Sequence, residues 1–199
     1  MLKGLDISHW NSGHITVRKQ MIEGWKDFDF VIMKATEGAT YTDRCIYMYR
    51  DNINKSKSDI VKGYYHFARA NNNDPIKEAE HFLNIVGKDV GKSILALDFE
   101  GQENHNVGEE WAKTWMDYVY IQTGVKPIFY TDKYAVSKYD DIAKNDYGLW
   151  IPHWKTTKPD SKLITPWRFF AFWQYQGSNL DLDYFNGTKE ALLKYTIAR

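Results

Sequence analysis

The sequence predicts an α/β fold, an incomplete β/α barrel with about five βα units followed by three β-strands. Three observations carry this. Short apolar, β-branched or aromatic runs recur eight times along the 199 residues. The first five are separated by roughly 20–30 residues whose apolar positions follow a helical period. The last two lie too close together for a full helix between them. A chain of this length builds one sizeable core, so residues 1–199 read as a single domain.

The expected strands are Leu2–Ser8, Phe30–Lys34, Val61–His66, Ile94–Phe99, Pro127–Thr131, Leu149–His153, Phe169–Tyr175 and Leu180–Tyr184. Two of the intervening helices carry explicit boundaries. One runs from Ile76 to Val86, with Asp74-Pro75 as its start and Gly87 as its stop. The other spans Val107 to Thr123 and ends at Gly124. No internal repeat, low-complexity tract or Pro/Ser-rich linker interrupts the pattern.

Composition narrows the function classes. The 26 basic and 26 acidic residues cancel, which argues against a nucleic-acid partner. No apolar run is long enough to span a membrane, so membrane insertion is not expected. Eight Trp, fourteen Tyr and ten Phe make the chain unusually aromatic. Most must pack in the core, but those in loops suit a sugar site, where ring faces meet apolar pyranose faces. Cys45 is the only cysteine, so no internal disulfide forms and a packing role or none is expected for it. The opening MLKGLDISHW enters a strand at once and lacks the apolar stretch of a signal peptide.

Candidate chemistry gathers at strand ends. Asp98 and Glu100 close the most apolar strand, in Ser-Ile-Leu-Ala-Leu-Asp-Phe-Glu. Residues two apart on a strand share a side, with Cα atoms about 6.6–7 Å apart. Such a pair repels itself, and burial raises one pKa as a general acid requires. A solvated or lysine-paired strand end is the plainer alternative. Asp6 ends the first strand and Asp181 lies in the last, so a barrel would bring four acids to its C-terminal mouth. Carbohydrate chemistry and a divalent cation both account for such a cluster. His66 is one candidate to hold a metal, and is more simply a hydrogen-bonded structural group. Lys34 and Glu37 are close enough in sequence to pair with each other rather than to meet a ligand.

Eight motifs resemble, in order and spacing, the glycoside hydrolase family 25 lysozymes, the Chalaropsis-type muramidases of bacteria, their phages and some fungi. They are Gly-Leu-Asp-Ile-Ser (4–8), Lys-Ala-Thr-Glu-Gly (34–38), Gly-Tyr-Tyr-His-Phe (63–67), Leu-Asp-Phe-Glu (97–100), Pro-Ile-Phe-Tyr-Thr (127–131), Leu-Trp-Ile-Pro-His-Trp (149–154), Phe-Trp-Gln-Tyr (172–175) and Leu-Asp-Leu-Asp-Tyr-Phe (180–185). The resemblance implies Glu100 as proton donor and Asp98 as the second catalytic carboxylate, nucleophile or holder of the substrate's acetamido group. It further implies Asp6 and Asp181 as acids of the same pocket, with Asp183 expected on the opposite face of its strand. Tyr65, Tyr130, Trp154 and Gln174 match substrate-binding wall positions. His9-Trp10-Asn11 stands where relatives carry a short polar Gln or Asn loop, so contacts there are expected to differ.

The implied reaction is retaining hydrolysis of the β-1,4 bond between N-acetylmuramic acid and N-acetylglucosamine in peptidoglycan, with no cofactor and no metal. The implied partner is the bacterial cell wall, met by a single copy of the chain. The implied setting is a phage endolysin catalytic domain, released from the host cytoplasm by a holin or exported by another route. A wall-binding barrel without activity and a chitinase-like hydrolase are the competing readings.

Overall fold

The computed structural model describes residues 1–56 and 58–198; Arg199, the last residue of the expected domain, lies outside the described residues. Eight strands form the barrel: β1 (Leu2–Ile7), β2 (Phe30–Glu37), β4 (Val61–Phe67), β5 (Ile94–Asp98), β6 (Ile128–Tyr130), β7 (Gly148–Pro152), β8 (Phe172–Gln176) and β9 (Asp181–Phe185). The two-residue β3 (Tyr41–Thr42) folds back antiparallel onto β2. Sheet order is β1-β9-β8-β7-β6-β5-β4-β2-β3, and β1 also pairs with β2, so the ring closes. From β1 through β2 to β8 the neighbours are parallel, whereas β9 is antiparallel to both β8 and β1.

Helices α1 (Ile15–Glu23), α2 (Ile46–Lys55), α3 (Pro75–Val86), α4 (Gln102–Val107) and α5 (Glu109–Thr123) cover the first half of the barrel. The later α6 (Asp140–Lys144), α7 (Ser161–Ile164) and α8 (Lys189–Leu193) are one turn or little more. The predicted start of α3 is present: the Asp74 carboxylate accepts from the N–H groups of Ile76 (2.9 Å) and Lys77 (3.1 Å), and Pro75 needs no such partner. Gly124 ends α5 in the left-handed region at φ 70°. The helix expected from Val107 begins two residues later, at Glu109, because Gly108 at φ 100°, a conformation closed to most side chains, separates it from the short α4 that precedes it. The seventh expected strand also starts later, at Phe172: Phe169 is exposed. No helix among the described residues is long and apolar enough to cross a membrane.

Alternation along each strand divides the side chains into two layers. Outward residues such as Val31, Met33, Leu95, Leu97 and Phe129 pack with the helices. Inward residues fill the barrel, with Phe30, Phe172 and Phe185 among those on its floor and Tyr65, Tyr130 and Trp150 above them. Gly4 belongs to this interior for a steric reason. It pairs with Phe30, and a Cβ at Gly4 would lie 2.3–2.4 Å from that ring. Gly4→Ala is therefore expected to destabilise the fold by about 1–3 kcal/mol through overpacking. Urea unfolding at equilibrium measures it, and a midpoint equal to the parent's would contradict this packing of the floor.

Candidate active site

Period-two alternation that seats Phe30 and Phe185 on the floor carries polar side chains to the upper end of the same strands. β1 presents Asp6, β2 Lys34, β4 Tyr65, β5 Asp98, β6 Tyr130, β8 Gln174 and β9 Asp181 and Asp183. Glu100 follows β5, and Trp154 follows β7. They meet around a cavity of about 370 Å³ whose walls include Asp6, Asp98, Glu100 and Asp181. Tyr65, Tyr130, Trp154 and Gln174 line it as well. All eight positions singled out in the sequence thus face one space.

Asp181 reaches the mouth by a different geometry from the other acids. Because β9 is antiparallel, its first residue lies beside the C-terminal ends of its neighbours, and Asp181 pairs with Asp6 across the β1–β9 ladder. Asp183 corrects the expectation that it would face away. Residues two apart on a strand share a face, and Asp183 is fully buried inside the barrel beneath Asp181. There its Oδ1 accepts a hydrogen bond from Trp150 Nε1 at 2.8 Å.

Gln174 ties the site together. Its Nε2 donates to Asp6 Oδ2 (2.9 Å), while its Oε1 accepts from Trp154 Nε1 (3.1 Å) and faces the Tyr130 hydroxyl (3.4 Å). One residue therefore positions an acid, a half-exposed indole and a phenol. Oδ1 of Asp98, by contrast, is buried with no hydrogen-bond partner among the described residues.

Charge is held at this mouth at a cost, which shows in the acids' affinity for protons. Asp6 is pushed well above the usual carboxylate range by burial, then by the charges of Asp183 and Asp181. Burial likewise pushes Asp98 well up, with Glu100 adding to it and Lys34 opposing. Glu100 is pushed up to about 7, first by burial, then by Asp132 and Asp181, against a hydrogen bond from Tyr130. Asp183 also rises to about 7 through burial, and hydrogen bonds from Trp150 and Asp6 oppose the rise. Burial raises Asp181 too. Burial leads for Glu100 as the sequence led us to expect, but the largest charge contribution comes from Asp132 and not from Asp98. Asp132 was not foreseen: it stands beyond the end of β6, where its Oδ2 accepts from Gly101 N (2.9 Å) and contacts His105 Nε2 (2.7 Å). Its position directly after the Tyr-Thr of a barrel strand was the available signal.

The remaining candidates divide. Lys34 does pair with Glu37 at 2.5 Å, and Arg69 joins the same carboxylate, yet Lys34 also lines the cavity as a cation amid the acids. His66 lies fully buried outside it: Nε2 meets Glu78 at 2.6 Å, Nδ1 meets Thr36 Oγ1 at 2.8 Å, and the ring stacks on Trp115. Both nitrogens are used, and burial lowers its pKa, so the imidazole is a neutral structural group. The His9–Asn11 turn also reaches the cavity. Ser8 and Asn11 cap it reciprocally, which presents Trp10, 81% exposed, at the rim. Cys45 sits half-buried at the start of α2, against the outer core.

Comparison with known proteins adds an independent line. The family model for Glycosyl hydrolases family 25 matches residues 5–183. An autolytic lysozyme of Clostridium acetobutylicum is 32% identical over 163 residues, 80% of this chain and 47% of that protein. The N,O-diacetylmuramidase of Chalaropsis sp. is 26% identical over 83% of this chain and 86% of its own length. The crystal structure of a bacterial lysozyme from Streptomyces coelicolor superposes with a TM-score of 0.83 over 98% of this chain and 96% of that one, at 22% identity, and so shares the fold.

The buried acids should be visible in folding. Asp183 has a folded pKa of about 7 against about 4 when unfolded, so the stability it lends at low pH is lost as pH rises through that window. Asp183→Asn keeps an acceptor for Trp150 and removes the titration. Its stability relative to the parent is expected to rise by about 2–4 kcal/mol across the window. Urea unfolding of both proteins at pH 4.5 and pH 7.5 measures the gap. An unchanged gap would remove Asp183 from the set of acids that are costly to ionise.

Proposed function

This chain belongs to glycosyl hydrolases family 25, and from that premise we propose that it is a muramidase. It would cleave the β-1,4 bond between N-acetylmuramic acid and N-acetylglucosamine in cell-wall peptidoglycan. The observation that carries the reading is the buried Asp98 beside the half-buried Glu100 in an aromatic-walled cavity, with the Glu100 carboxyl pushed up to about 7. A carboxyl group with that pKa keeps a substantial protonated fraction up to neutral pH and can release the proton in the transition state.

Glu100 donates its proton to the glycosidic oxygen as the bond to the anomeric carbon breaks. Asp98 supports the positive centre from β5, and its unpartnered Oδ1 is an acceptor for the N–H of the substrate's 2-acetamido group. The acetamido carbonyl oxygen, or Asp98 itself, then bonds to the anomeric carbon. Water then adds to that carbon as its bond to the acetamido oxygen or to Asp98 breaks, and the water gives a proton back to Glu100, so the outcome is net retention. Asp6 and Asp181 bound the same pocket, and Gln174 orients Asp6 together with Trp154. Tyr65 and Tyr130 form the wall for a sugar ring. No step requires a cofactor. In this reading residues 1–199 form a single catalytic domain that acts as a monomer. The names of the Clostridium lysozyme and the Chalaropsis diacetylmuramidase support the same substrate class.

Wall digestion followed by identification of the new reducing ends tests the bond: N-acetylmuramic acid is expected, and N-acetylglucosamine would refute the reading. Glu100→Gln is expected to lower kcat by about 10²–10⁴ or more with folding intact; activity within tenfold of the parent would remove Glu100 as the acid. The alkaline limb of the pH–rate profile should lie near 7, where Glu100 loses its proton. Asp132→Asn withdraws a charge that raises Glu100, so the limb should move down by about half to one unit. A limb that stays or moves up would contradict the assignment.

A further inference from the structure

Outside the barrel, beside the acid cavity, lies a second groove of about 490 Å³. Its origin is topological. β8 turns straight into β9 with no helix between them, so the outer face of this hairpin shows aromatic side chains where a regular βα unit would cover them. Trp173 forms the base, with Tyr184 directly opposite it in the ladder. Tyr175 stacks on Tyr184 at 4.4 Å, and the ladder bulges between Gln174 and Gln176, which re-aims Tyr175. The rim is polar: Lys155, Thr156, Gln176 and Ser178.

Trp154 is the wall common to this groove and the acid cavity. The indole is 63% exposed, yet it is held from two sides. Its Nε1 is tied to Gln174, and its ring lies on Gly177, where a Cβ would stand 2.5–2.7 Å from the ring atoms. Any side chain at 177 would drive the indole off this seat. The absence of a Cβ thus keeps Trp154 standing between the two depressions, so that one extended molecule can occupy both.

We propose that this groove is a second sugar-binding site, which holds rings of the same glycan strand beyond those in the acid cavity. The proposal rests on the muramidase reading. Aromatic faces with hydroxyl and amide groups around them are what a pyranose with N-acetyl and hydroxyl substituents needs. The ammonium of Lys155 suits the carboxylate that N-acetylmuramic acid carries. Engagement of both sites by one strand makes the second contact intramolecular, so long strands gain affinity that short ones lack.

The test compares long peptide-free glycan strands with the shortest oligosaccharide the parent cleaves. Tyr175→Ala removes one aromatic face of the groove, and Tyr175→Phe retains it. Ser178→Glu places a negative charge on the exposed rim without removing any packing. Tyr175→Ala and Ser178→Glu should each raise KM on long strands about tenfold, equivalent to about 1.4 kcal/mol. Their kcat and their KM on the short substrate should stay within about twofold of the parent, and Tyr175→Phe should behave as the parent does. A parental long-strand KM in both Tyr175→Ala and Ser178→Glu overturns the proposal. Equal losses on both substrates do so too, since that is the signature of a structural defect. If the parent cleaves neither substrate, the muramidase reading falls on its own. Calorimetric titration of long strands into the parent and Ser178→Glu then still decides the groove, equal affinities counting against it.

Discussion

Between β8 and β1 the sheet is bridged by one antiparallel strand, β9, and the mouth of the barrel is built around that bridge. Seven strands run one way and would leave an open edge; β9 pairs with both sides and closes it. The reversal brings the first residues of β9 to the end where other strands finish. Asp181 and Asp183 therefore stand against Asp6 instead of at the opposite end of the barrel. It also dispenses with a covering helix, so the closure that concentrates acid on the inside leaves Trp173, Tyr175 and Tyr184 lining a groove outside.

Several carboxyl groups in so small a space would not stay buried as anions. Burial and mutual repulsion together keep protons on some of them. What distinguishes the individual acids is local support. Asp183 has Trp150 on one oxygen and Asp6 has Gln174, while Asp98 and Asp183 each keep one buried oxygen without a partner among the described residues. Lys34 contributes a nearby cation that is itself steadied by Glu37, which Arg69 holds from the other side. The result is a graded set of proton affinities in which Glu100 sits near neutrality.

Rigidity of this arrangement comes from below. The Phe30, Phe172 and Phe185 floor admits nothing larger than glycine at position 4, and Tyr130 and Trp150 stack edge-to-face above it. The aromatic richness of the chain therefore serves both purposes that composition left open. Most rings are core, and a minority, Trp10 and Trp154 above all, stand at the rim where a sugar could meet them.

The β/α rhythm, the strands to within a few residues, the α3 cap and the convergence of Asp6, Asp98, Glu100 and Asp181 were all legible in the sequence. These depend on local periodicity, on capping chemistry and on the rule that barrel strand ends share a face. Other features needed the folded chain. The direction of β9 is set by pairing with partners far away in sequence, whereas the seating of Asp183 under Asp181 follows from strand alternation and was open to the sequence. The break at Gly108 turns on one backbone dihedral that a helical period does not reveal. Asp132 acts on Glu100 across space from another strand, and the Trp154–Gln174–Asp6 chain joins residues up to 168 positions apart. Sequence determined which side chains a strand presents to the barrel interior. Tertiary structure decided which of them meet, because burial and through-space charge depend on distances that only the closed sheet establishes.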